Sequence, residues 1–450
     1  RTELAASISL APFKGNLFDD GIRRGVHISP DEAIGDDGIY PAWSVRHTGT
    51  STWKGFRIAT FEIYPLRYDV PTGRLILIDG MTLVVETAPG IQEDARRERH
   101  VDGFREQSLS KVRSVVDNPE LADGYVFDDI MVEQETRTFL PTYLPSLEGS
   151  AVKYLIVTNE EMAPEYQRLA DWKTQKGIPT VVRTIEWIEQ NYRSGADLGE
   201  TIRNFIKEAY EKWGLEYVLL GGDTDVIPER LALVLGEFVP TDMYYGCLDG
   251  TWNADGDDIW GDHVDDDTDM RSEVYVGRLP STDLSEAQLL IDKTMAYEVP
   301  SDTLYKSDFL LLAEVLDPYP YEPGMSIRTD GAEYIHEIDT LYLNPDPDIN
   351  SIRLYENQVD FPEVPVITRA ASLSQMSAGV NLVIHVGHGS MYNMSLGDGS
   401  ILNSQAGNVT NGSKTFSMYL LNCDNLAFDS DCIAEYFMLN PDGGAAAITG

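Results

Sequence analysis

The sequence predicts an α/β fold preceded by an all-β segment. From about residue 150 onward, short apolar runs alternate with amphipathic stretches, which is the pattern of parallel strands joined by helices on both faces of a sheet. Before residue 90 the apolar runs are short, alternate with polar residues and are broken by Pro and Gly, which is typical of β-structure. Two late apolar runs each end in a reactive side chain, which makes them the best candidates for the functional site.

Composition places the chain among ordinary globular proteins and restricts its partners. The 450 residues are 42% hydrophobic and 24% charged, a length that predicts roughly two to four domains. The 74 acidic residues outnumber the 34 basic ones, for a net charge of −40, so we expect no nucleic-acid partner. An acidic surface favours cations or basic peptides, or is simply solvated. No apolar run approaches the roughly 18 residues of a membrane span.

The first two segments carry no catalytic pattern. Residues 1–90, with runs such as FRIATFEIYPLRYD and MTLVVETAP, are predicted to form a β-rich domain. Residues 91–149 have the composition of a linker or activation segment, in which ARRERHVDGFREQSLSKVRSVV could form an exposed helix. Arg137 and the Arg96–Arg97 pair in this segment are candidate maturation cuts.

Residues 150–300 are predicted to form a first α/β unit, subdomain A. Its strands are VKYLIVT, PTVVRT, EYVLLGG and VYVGRLP. One helix begins near Pro164 and ends at Gly177, a second ends at Gly214, and a third is capped by Asp283.

Residues 301–450 are predicted to form subdomain B. Its strands are FLLLAEV, SIRLYEN, the two late apolar runs and the start of GGAAAITG, with helices around AEYIHEIDTLYL, ASLSQMS and SDCIAEYFML. Because the pattern stops at a strand, we expect this subdomain to continue beyond Gly450.

The candidate catalytic residues follow the two late apolar runs, residues 380–386 and 416–421. The first run leads into His388–Gly389 and the second into Cys423. If the two strands are neighbours in a parallel sheet, both side chains emerge at its carboxyl edge, where open α/β sheets place their sites.

A cysteine and a histidine at one sheet edge support acyl transfer. A thiolate is a strong nucleophile, and an imidazole can take its proton and later protonate the leaving group. The N–H groups of Gly389 and Cys423 could hold the oxyanion. The alternative is that Cys423 only packs, as free cysteines commonly do. Cys247 and Cys432 have the surroundings of core residues, although a Cys423–Cys432 disulfide, which would block the nucleophile, stays open.

The motif HVGHGS followed by LLNCDN resembles the gingipain family of cysteine peptidases, within the caspase-like group. The resemblance extends over roughly residues 150–450. It implies a caspase-like three-layer α/β/α catalytic unit of two side-by-side subdomains, with His388 as base and Cys423 as nucleophile. His385 is the competing base, but it lies inside the apolar run and lacks a following glycine, so we interpret it as a strand residue.

A weaker resemblance in the first segment implies a partner within the chain. WKGFRIATFEIYPLRYD followed by MTLVVE is similar to the amino-terminal propeptides of the family, which implies a separately folded inhibitor that packs over the site and is cut away. The alternative is a β-domain that is never removed. The family also implies a secreted or cell-surface location.

Two acidic residues of subdomain B are further candidates. Glu314 ends the FLLLAEV run, where its carboxylate could orient the imidazole of His388; the family pattern has an acid at this place. Asp330 could simply cap the helix that follows it. It also lies about where Arg-directed gingipains carry the acid that binds the guanidinium of the substrate, so it is our candidate substrate-binding residue.

An acidic, glycine-rich loop, LDGTWNADGDDIWGDHVDDDTD, is a candidate structural calcium site. Carboxylates this dense repel one another unless a cation holds them, and Ca²⁺ takes six to eight oxygen ligands. The alternative is a solvated acidic loop. The candidate ligands are Asp249, Asn253, Asp255, Asp257 and Asp258. No organic cofactor is expected.

The sequence therefore predicts a secreted, gingipain-like cysteine endopeptidase that is made as a zymogen and cuts protein substrates after Arg, or after Lys. Two alternatives stay open: a peptidase of the same fold that processes secreted proteins at the cell surface, and a calcium-stabilised binding or adhesion module with a vestigial dyad. A cytosolic caspase-like enzyme that cuts after Asp is disfavoured by the acidic charge and the lack of basic candidates near the dyad.

Overall fold

The computed structural model describes residues 2–8, 35, 37–87, 104–125, 152–192, 195–234, 236–257, 259–262, 266, 268, 270–300 and 302–450. Within these ranges the amino-terminal part is built from seven strands: β1 (Thr2–Ile8), β2 (Ile39–Tyr40), β3 (Val45–Trp53), β4 (Phe56–Ile63), β5 (Leu66–Asp69), β6 (Arg74–Leu77) and β7 (Met81–Thr87). They pair antiparallel as β1 with β7, β3 with β4, and β2, β5 and β6 in that order. The β-rich prediction for this part is confirmed.

Two helices follow, α1 (Phe104–Arg113) and α2 (Pro119–Ala122). Of the basic stretch predicted as an exposed helix, residues 104–113 are helical but not fully exposed, whereas residues 95–103, with the candidate cuts at Arg96–Arg97, and Arg137 lie outside the described residues. Val112 is only 2% exposed and packs with Ala122 against Phe56. The exposed-helix interpretation was wrong because the apolar residues among the charges cover one face of the β-segment.

Subdomain A contains a four-stranded parallel sheet in the order β13, β10, β8, β9. Apolar clusters lie on both faces of this sheet, so helices cover it on two sides. The ends of α5 and α7 follow the local sequence signals: Gly214 ends α5 with a left-handed φ of 74°, and Asp283 caps α7 by accepting the N–H groups of Ser285 and Glu286. The elements are β8 (Tyr154–Thr158), α3 (Ala163–Gln175), β9 (Thr180–Thr184), α4 (Ile185–Asn191), α5 (Leu198–Trp213), β10 (Tyr217–Gly221), β11 (Arg230–Val234), β12 (Glu237–Thr241), α6 (Met243–Gly246), β13 (Tyr275–Leu279) and α7 (Leu284–Glu298).

Subdomain B contains a five-stranded parallel sheet in the order β17, β14, β18, β22, β23, again with apolar clusters on both faces. The predicted α/β class is therefore confirmed. A 3₁₀ turn (Leu304–Ser307) precedes β14, and a π-helical turn (Asp339–Leu343) follows α8. The elements are β14 (Asp308–Ala313), β15 (Val315–Asp317), β16 (Thr329–Asp330), α8 (Gly331–Ile338), β17 (Asn350–Tyr355), α9 (Arg369–Ala378), β18 (Leu382–Val386), β19 (Gly389–Ser390), β20 (Asn393–Ser395), β21 (Ser400–Leu402), α10 (Asn403–Ala406), β22 (Phe416–Leu421), α11 (Ile433–Met438) and β23 (Ala445–Thr449).

The two subdomains share an apolar and polar interface. Met438 and Ile448 of subdomain B pack in one cluster with Leu290 and Ile291 of α7. The ammonium of Lys293, also on α7, donates to the carbonyls at the end of α11, including Met438 O at 2.5 Å. These contacts fix the β23 edge of the five-stranded sheet against subdomain A.

The amino-terminal part docks on subdomain A at the start of β13. Trp53 Nε1 donates to Ser272 O at 2.8 Å, and Lys54 Nζ donates to Glu273 O at 2.5 Å. Lys111 Nζ lies 4.5 Å from the ring centre of Tyr275, the first residue of β13. These contacts are at the amino edge of the sheet. No helix among the described residues is long and apolar enough to cross a membrane.

Candidate active site

The strands that carry the predicted dyad are neighbours. β18 pairs parallel with β22, and the last pairs in register are His385 with Leu420 and Val386 with Leu421. Beyond them, the N–H of Gly387 donates to Leu421 O at 3.2 Å, which carries the pairing one step past the strand ends. His388 and Cys423 thus leave the sheet side by side at its carboxyl edge.

Cys423 is an exposed free thiol, and no two of the three cysteines form a disulfide. The following residue, Asp424, has a left-handed φ of 57°, so the chain turns sharply just after the sulfur. Cys432 is buried in the core, where burial and the nearby charge of Glu435 raise the pKa of its thiol to about 12. The Cys423–Cys432 disulfide that the sequence left open is not formed.

The loop after β18 touches the loop after β22 at Gly389. A Cβ added to Gly389 would lie 3.0 Å from Cys423 O and 2.8 Å from Asn425 Nδ2, so only a residue without a side chain fits there unless the loops move. This approach places the His388–Gly389 backbone directly against the backbone of the cysteine loop.

The N–H of Gly389 is directed away from its own strand ladder. β19 pairs antiparallel with β20, with Gly389 opposite Met394, and the N–H of Ser395 donates to His388 O at 3.0 Å. Hydrogen-bonded and non-hydrogen-bonded pairs alternate in such ladders, so the Gly389–Met394 pair is a non-hydrogen-bonded one.

A main-chain carbonyl holds the imidazole of His388. Nε2 lies 3.1 Å from Leu316 O, and the ring centre lies 4.0 Å from that of Tyr319. A carbonyl oxygen can only accept, so Nε2 carries the proton and Nδ1 carries the lone pair. This is the tautomer in which Nδ1 can act as a base.

Glu314 lies beside His388, as its place at the end of β14 predicts, but it contacts the main chain and not the ring. Its Oε2 accepts the N–H of His388 at 2.7 Å. Its Oε1 accepts from Ser395 Oγ at 2.8 Å and from the N–H of Gly397 at 2.5 Å. The expectation that its carboxylate bonds the His388 imidazole was therefore wrong, because Leu316 O occupies that role.

A second histidine contacts Glu314 from inside the sheet. His385 is fully buried, and its Nε2 lies 3.6 Å from Glu314 Oε2. Burial acts to raise the pKa of Glu314, but the neighbouring His385, together with the N–H groups of Gly397 and His388, holds it below its ordinary value. Glu314 is thus a buried, ionised carboxylate at the base of the site.

Two asparagines connect the loops. Asn422, next to Cys423, donates from Nδ2 to His385 Nδ1 at 2.9 Å and to Asn425 Oδ1 at 2.6 Å. Asn425 in turn donates to Ser390 O at 2.6 Å and to Asn393 O at 2.7 Å. The cysteine loop is therefore tied both to the sheet interior and to the hairpin that follows His388.

Asp330 caps α8, the alternative considered for it from the sequence. Its Oδ1 accepts the N–H of Ala332 at 2.9 Å, and its Oδ2 accepts from Asn357 Nδ2 at 2.6 Å. The residue is 3% exposed, and burial raises the pKa of its carboxyl. In this arrangement both oxygens are engaged and covered, so a substrate guanidinium does not reach them.

The described part of the acidic loop does not form a metal site by itself. Asp249 is buried, whereas Asn253 Oδ1 and Asp255 Oδ1 both accept the N–H of Asp257, at 3.2 and 3.1 Å. Among the residues that the structure describes, no group of three His, Cys, Asp or Glu side chains could hold a metal ion. Asp258 lies outside the described residues, so calcium binding stays a prediction.

Several residues of this site were missed or set aside by the sequence reasoning. A carbonyl such as that of Leu316 has no side-chain signature and cannot be found from sequence. His385 was weighed only as a competing base. The paired asparagines in NCDN and the second histidine in HVGHG were the available signals, because polar residues at the ends of buried strands require partners.

Comparison with known proteins places the chain in a family. A model of peptidase family C25 matches residues 148–450. The chain belongs to peptidase family C25. Among curated relatives, gingipain R2 of Porphyromonas gingivalis is 24% identical over 319 residues, 69% of this chain and 38% of the relative. Lys-gingipain HG66 of the same organism is 24% identical over 412 residues, 89% of this chain and 20% of the relative. The chain thus spans well under half the length of these C25 relatives.

Solved structures agree on the fold of this C25 chain. The crystal structure of the Arg-specific cysteine proteinase gingipain R has a TM-score of 0.50 and 23% identity, covering 68% of this chain and 64% of that one. The complex of the Porphyromonas gingivalis RgpB pro- and mature domains also has a TM-score of 0.50 and 23% identity, covering 66% and 63%. The predicted gingipain-like, caspase-like architecture is confirmed.

Proposed function

We propose that this chain is a cysteine endopeptidase whose nucleophile is Cys423 and whose base is His388. The observation that carries the proposal is the joining of two loops at one sheet edge, where an exposed free thiol follows β22 and the His388–Gly389 backbone lies against it. Membership of peptidase family C25 supports the reaction class.

The proposed reaction is acyl transfer in two steps. Nδ1 of His388 takes the proton of the Cys423 thiol, and the thiolate attacks the carbonyl carbon of the scissile peptide bond. The oxyanion that forms is held by the N–H groups of Gly389 and Cys423, an arrangement supported by the direction of the Gly389 N–H. The imidazolium then protonates the leaving amine, and the C–N bond breaks.

The acyl group is released by water. Nδ1 of His388 accepts a proton from a water molecule, whose oxygen attacks the thioester carbon. Collapse of the second oxyanion expels the Cys423 thiolate, which regains its proton from the imidazolium. Leu316 O keeps the ring in one orientation through both steps, because its hydrogen bond to Nε2–H persists when Nδ1 is protonated.

Cleavage after Arg, or after Lys, is the proposed specificity. The support is the names of the relatives, an Arg-specific proteinase and Lys-gingipain, together with the net charge of −40, which favours basic peptides. Asp330 is not assigned to guanidinium recognition here, since its oxygens cap α8 and bind Asn357.

We also propose that residues 1–90 act as the propeptide of a secreted or cell-surface zymogen. The structural relative that contains pro- and mature domains supports association of such a segment with the catalytic unit. The docking contacts of Trp53, Lys54 and Lys111 are at the amino edge of subdomain A. Inhibition by residues 1–90 would accordingly require parts other than the anchors Trp53 and Lys54.

Structural calcium at the acidic loop remains a separate proposal. Its support is the density of carboxylates around Asp255 and Asp257, which repel one another in the absence of a cation. A rise in the thermal midpoint on adding Ca²⁺ but not Mg²⁺, abolished in Asp255→Asn/Asp257→Asn, would support it. An unchanged midpoint at millimolar Ca²⁺ would contradict it.

The peptidase proposal is tested with a library of fluorogenic peptides and a Cys423→Ala variant. We expect hydrolysis after Arg or Lys by the native chain and none by the variant. An acyloxymethyl-ketone probe should label Cys423 in the native chain. Hydrolysis that survives Cys423→Ala would remove the proposed nucleophile, whereas no labelling and no hydrolysis would favour a binding module with a vestigial dyad.

A further inference from the structure

A chain of polar contacts runs beneath the dyad, in which His385 lies between the two halves: it is hydrogen-bonded to Asn422 and lies 3.6 Å from Glu314. His385 lies on the central strand β18, in register with Leu312 on one side and Leu420 on the other. Its imidazole is fully buried, between Glu314 and Asn422. A histidine in the middle of an apolar strand would ordinarily be costly, because a buried polar group must be paired.

The partners of His385 define its protonation. The Asn422 amide nitrogen can only donate, so Nδ1 of His385, 2.9 Å away, is the acceptor. The proton of the neutral ring is then on Nε2, which faces Glu314 Oε2 at 3.6 Å. The two ring nitrogens of His385 therefore face different neighbours: Nδ1 faces Asn422 and Nε2 faces Glu314.

Each of these two neighbours is linked to one residue of the dyad: Glu314 to His388 and Asn422 to Cys423. Glu314 Oε2 also accepts the N–H of His388 at 2.7 Å, which fixes the backbone of the base. Asn422 immediately precedes Cys423, and its other hydrogen bond, to Asn425 Oδ1, anchors the turn that carries the sulfur. His385 is the side chain common to both halves.

The backbone above this pair is shaped to accommodate it. A Cβ added to Gly387 would collide with Glu314 Oε2 and would lie 2.5 Å from His385 Nε2. Position 387 must therefore be glycine as long as the Glu314–His385 pair occupies the space beneath it. The pair and the loop above it form one packed unit.

We propose that His385 is a positioning residue for the reaction proposed above: through Asn422 it sets the place of Cys423 relative to the His388 backbone that Glu314 holds. The inference rests on the proposed function, but its first readout does not need turnover. Displacements of about 1 Å in such a constellation are expected to reduce rates by up to roughly a hundredfold.

Three substitutions separate the two contacts. His385→Asn places an amide near the Nδ1 position and keeps an acceptor for Asn422. His385→Gln places its amide near the Nε2 position and keeps a donor for Glu314. His385→Phe keeps the ring shape and removes both. His336→Phe, at a histidine on α8 that packs against Phe361, is the matched control.

The first readout is the alkylation rate of Cys423 by iodoacetamide as a function of pH, with the other two thiols buried. We expect His385→Phe and His385→Gln to shift the midpoint or lower the rate at least about threefold, with His385→Asn close to the native chain. The second readout is the split between kcat and KM. For His385→Phe and His385→Gln we expect kcat to fall roughly tenfold to a hundredfold, with KM nearly unchanged.

The outcomes are distinguishable. If the native chain hydrolyses no peptide, the proposed function fails, while the alkylation profiles still test the positioning of Cys423. If folded His385→Phe has native alkylation and kcat, the inference is overturned. If all three variants lose rate only in proportion to lost thermal stability, His385 is merely structural, which also overturns it. His336→Phe should leave both readouts unchanged.

Discussion

The Glu314 carboxylate accepts the main-chain N–H of His388 at 2.7 Å, while the ring of that histidine is held by Leu316 O at 3.1 Å. The acid at the end of β14 therefore fixes where the base sits, and a carbonyl fixes how its ring is turned. In other triads a single carboxylate orients the histidine. Here two groups on one segment share that role: the Glu314 side chain holds the backbone of His388, and the Leu316 carbonyl holds its ring.

Glu314→Gln is expected to destabilise the protein by about 3 kcal/mol or more at pH 7. The amide would turn one acceptor into a donor that faces the N–H groups now bound by Glu314, leaving buried donors unpaired. A carboxylate whose folded pKa is depressed contributes stability above its unfolded pKa of roughly 4.3 and loses it as the pH falls through the folded value.

The difference between the native chain and Glu314→Gln should accordingly shrink below about pH 4. Urea unfolding at pH 7 and at acid pH measures it. A constant difference at every pH would show that the charge of Glu314 contributes nothing to folding.

Gly389→Ala is expected to abolish most activity while the chain stays folded. The new methyl group would meet Cys423 O and Asn425 Nδ2 at 3.0 and 2.8 Å, so it would push the two loops apart and withdraw the proposed oxyanion donor. Loss of one such donor typically lowers kcat by about a hundredfold to a thousandfold.

Gly399→Ala is the matched control, because a Cβ at that position meets nothing within 4 Å. Initial-rate kinetics on a fluorogenic peptide, with circular dichroism for folding, compare the two variants. Native rates in Gly389→Ala would remove Gly389 from the oxyanion site.

Most strands and helices of subdomain B could be predicted from local sequence patterns. The hydrogen-bond partners in the site could not, because tertiary contacts determine them. The apolar runs before His388 and Cys423 predict buried parallel strands, and parallel pairing brings their ends together. Polar residues at the strand ends indicate that partners are needed there, but nothing local pairs His385 with Glu314, just after β14, and Asn422, just after β22. The role of Leu316 is likewise invisible, since any residue supplies a carbonyl.

The position of Asp330 is explained by helix capping. The sequence placed it at the start of a helix, where an Asp is expected to accept the N–H of a first-turn residue, and it accepts that of Ala332. The choice between cap and substrate ligand depended on exposure, which a single sequence does not give. The helix predicted through residues 332–343 ends instead at Ile338 and continues as a π-helical turn.

Glu435→Gln is expected to stabilise the protein above neutral pH. Burial, with the charge of Asp223 adding to it, raises the pKa of Glu435 to about 8. A carboxyl whose folded pKa is raised loses stability as the pH climbs from the unfolded pKa of roughly 4.3 to the folded value, and the loss persists above it. Glutamine is uncharged and can keep the bond that Oε2 accepts from the N–H of Cys432 at 3.0 Å.

Guanidinium chloride unfolding should therefore show Glu435→Gln more stable than the native chain by on the order of 2 kcal/mol at pH 9, and nearly equal to it at pH 4. A gain that is the same at both pH values would point to packing and not to the buried charge.

Lys54→Ala combined with Lys111→Ala is expected to loosen the amino-terminal part from subdomain A. Lys54 donates to Glu273 O, and both ammonium groups lie over the ring of Tyr275, at 5.2 and 4.5 Å. Each contact of this kind contributes about 0.5–2 kcal/mol. The loss should appear as faster amide exchange in residues 53–58 and 104–116, with the sheet strands of subdomain B unchanged.

Arg74→Ala is the control for this prediction: it removes a positive charge at an exposed position on β6 and should leave exchange unaltered. Equal exchange in the native and doubly substituted chains would show that other contacts hold the amino-terminal part in place.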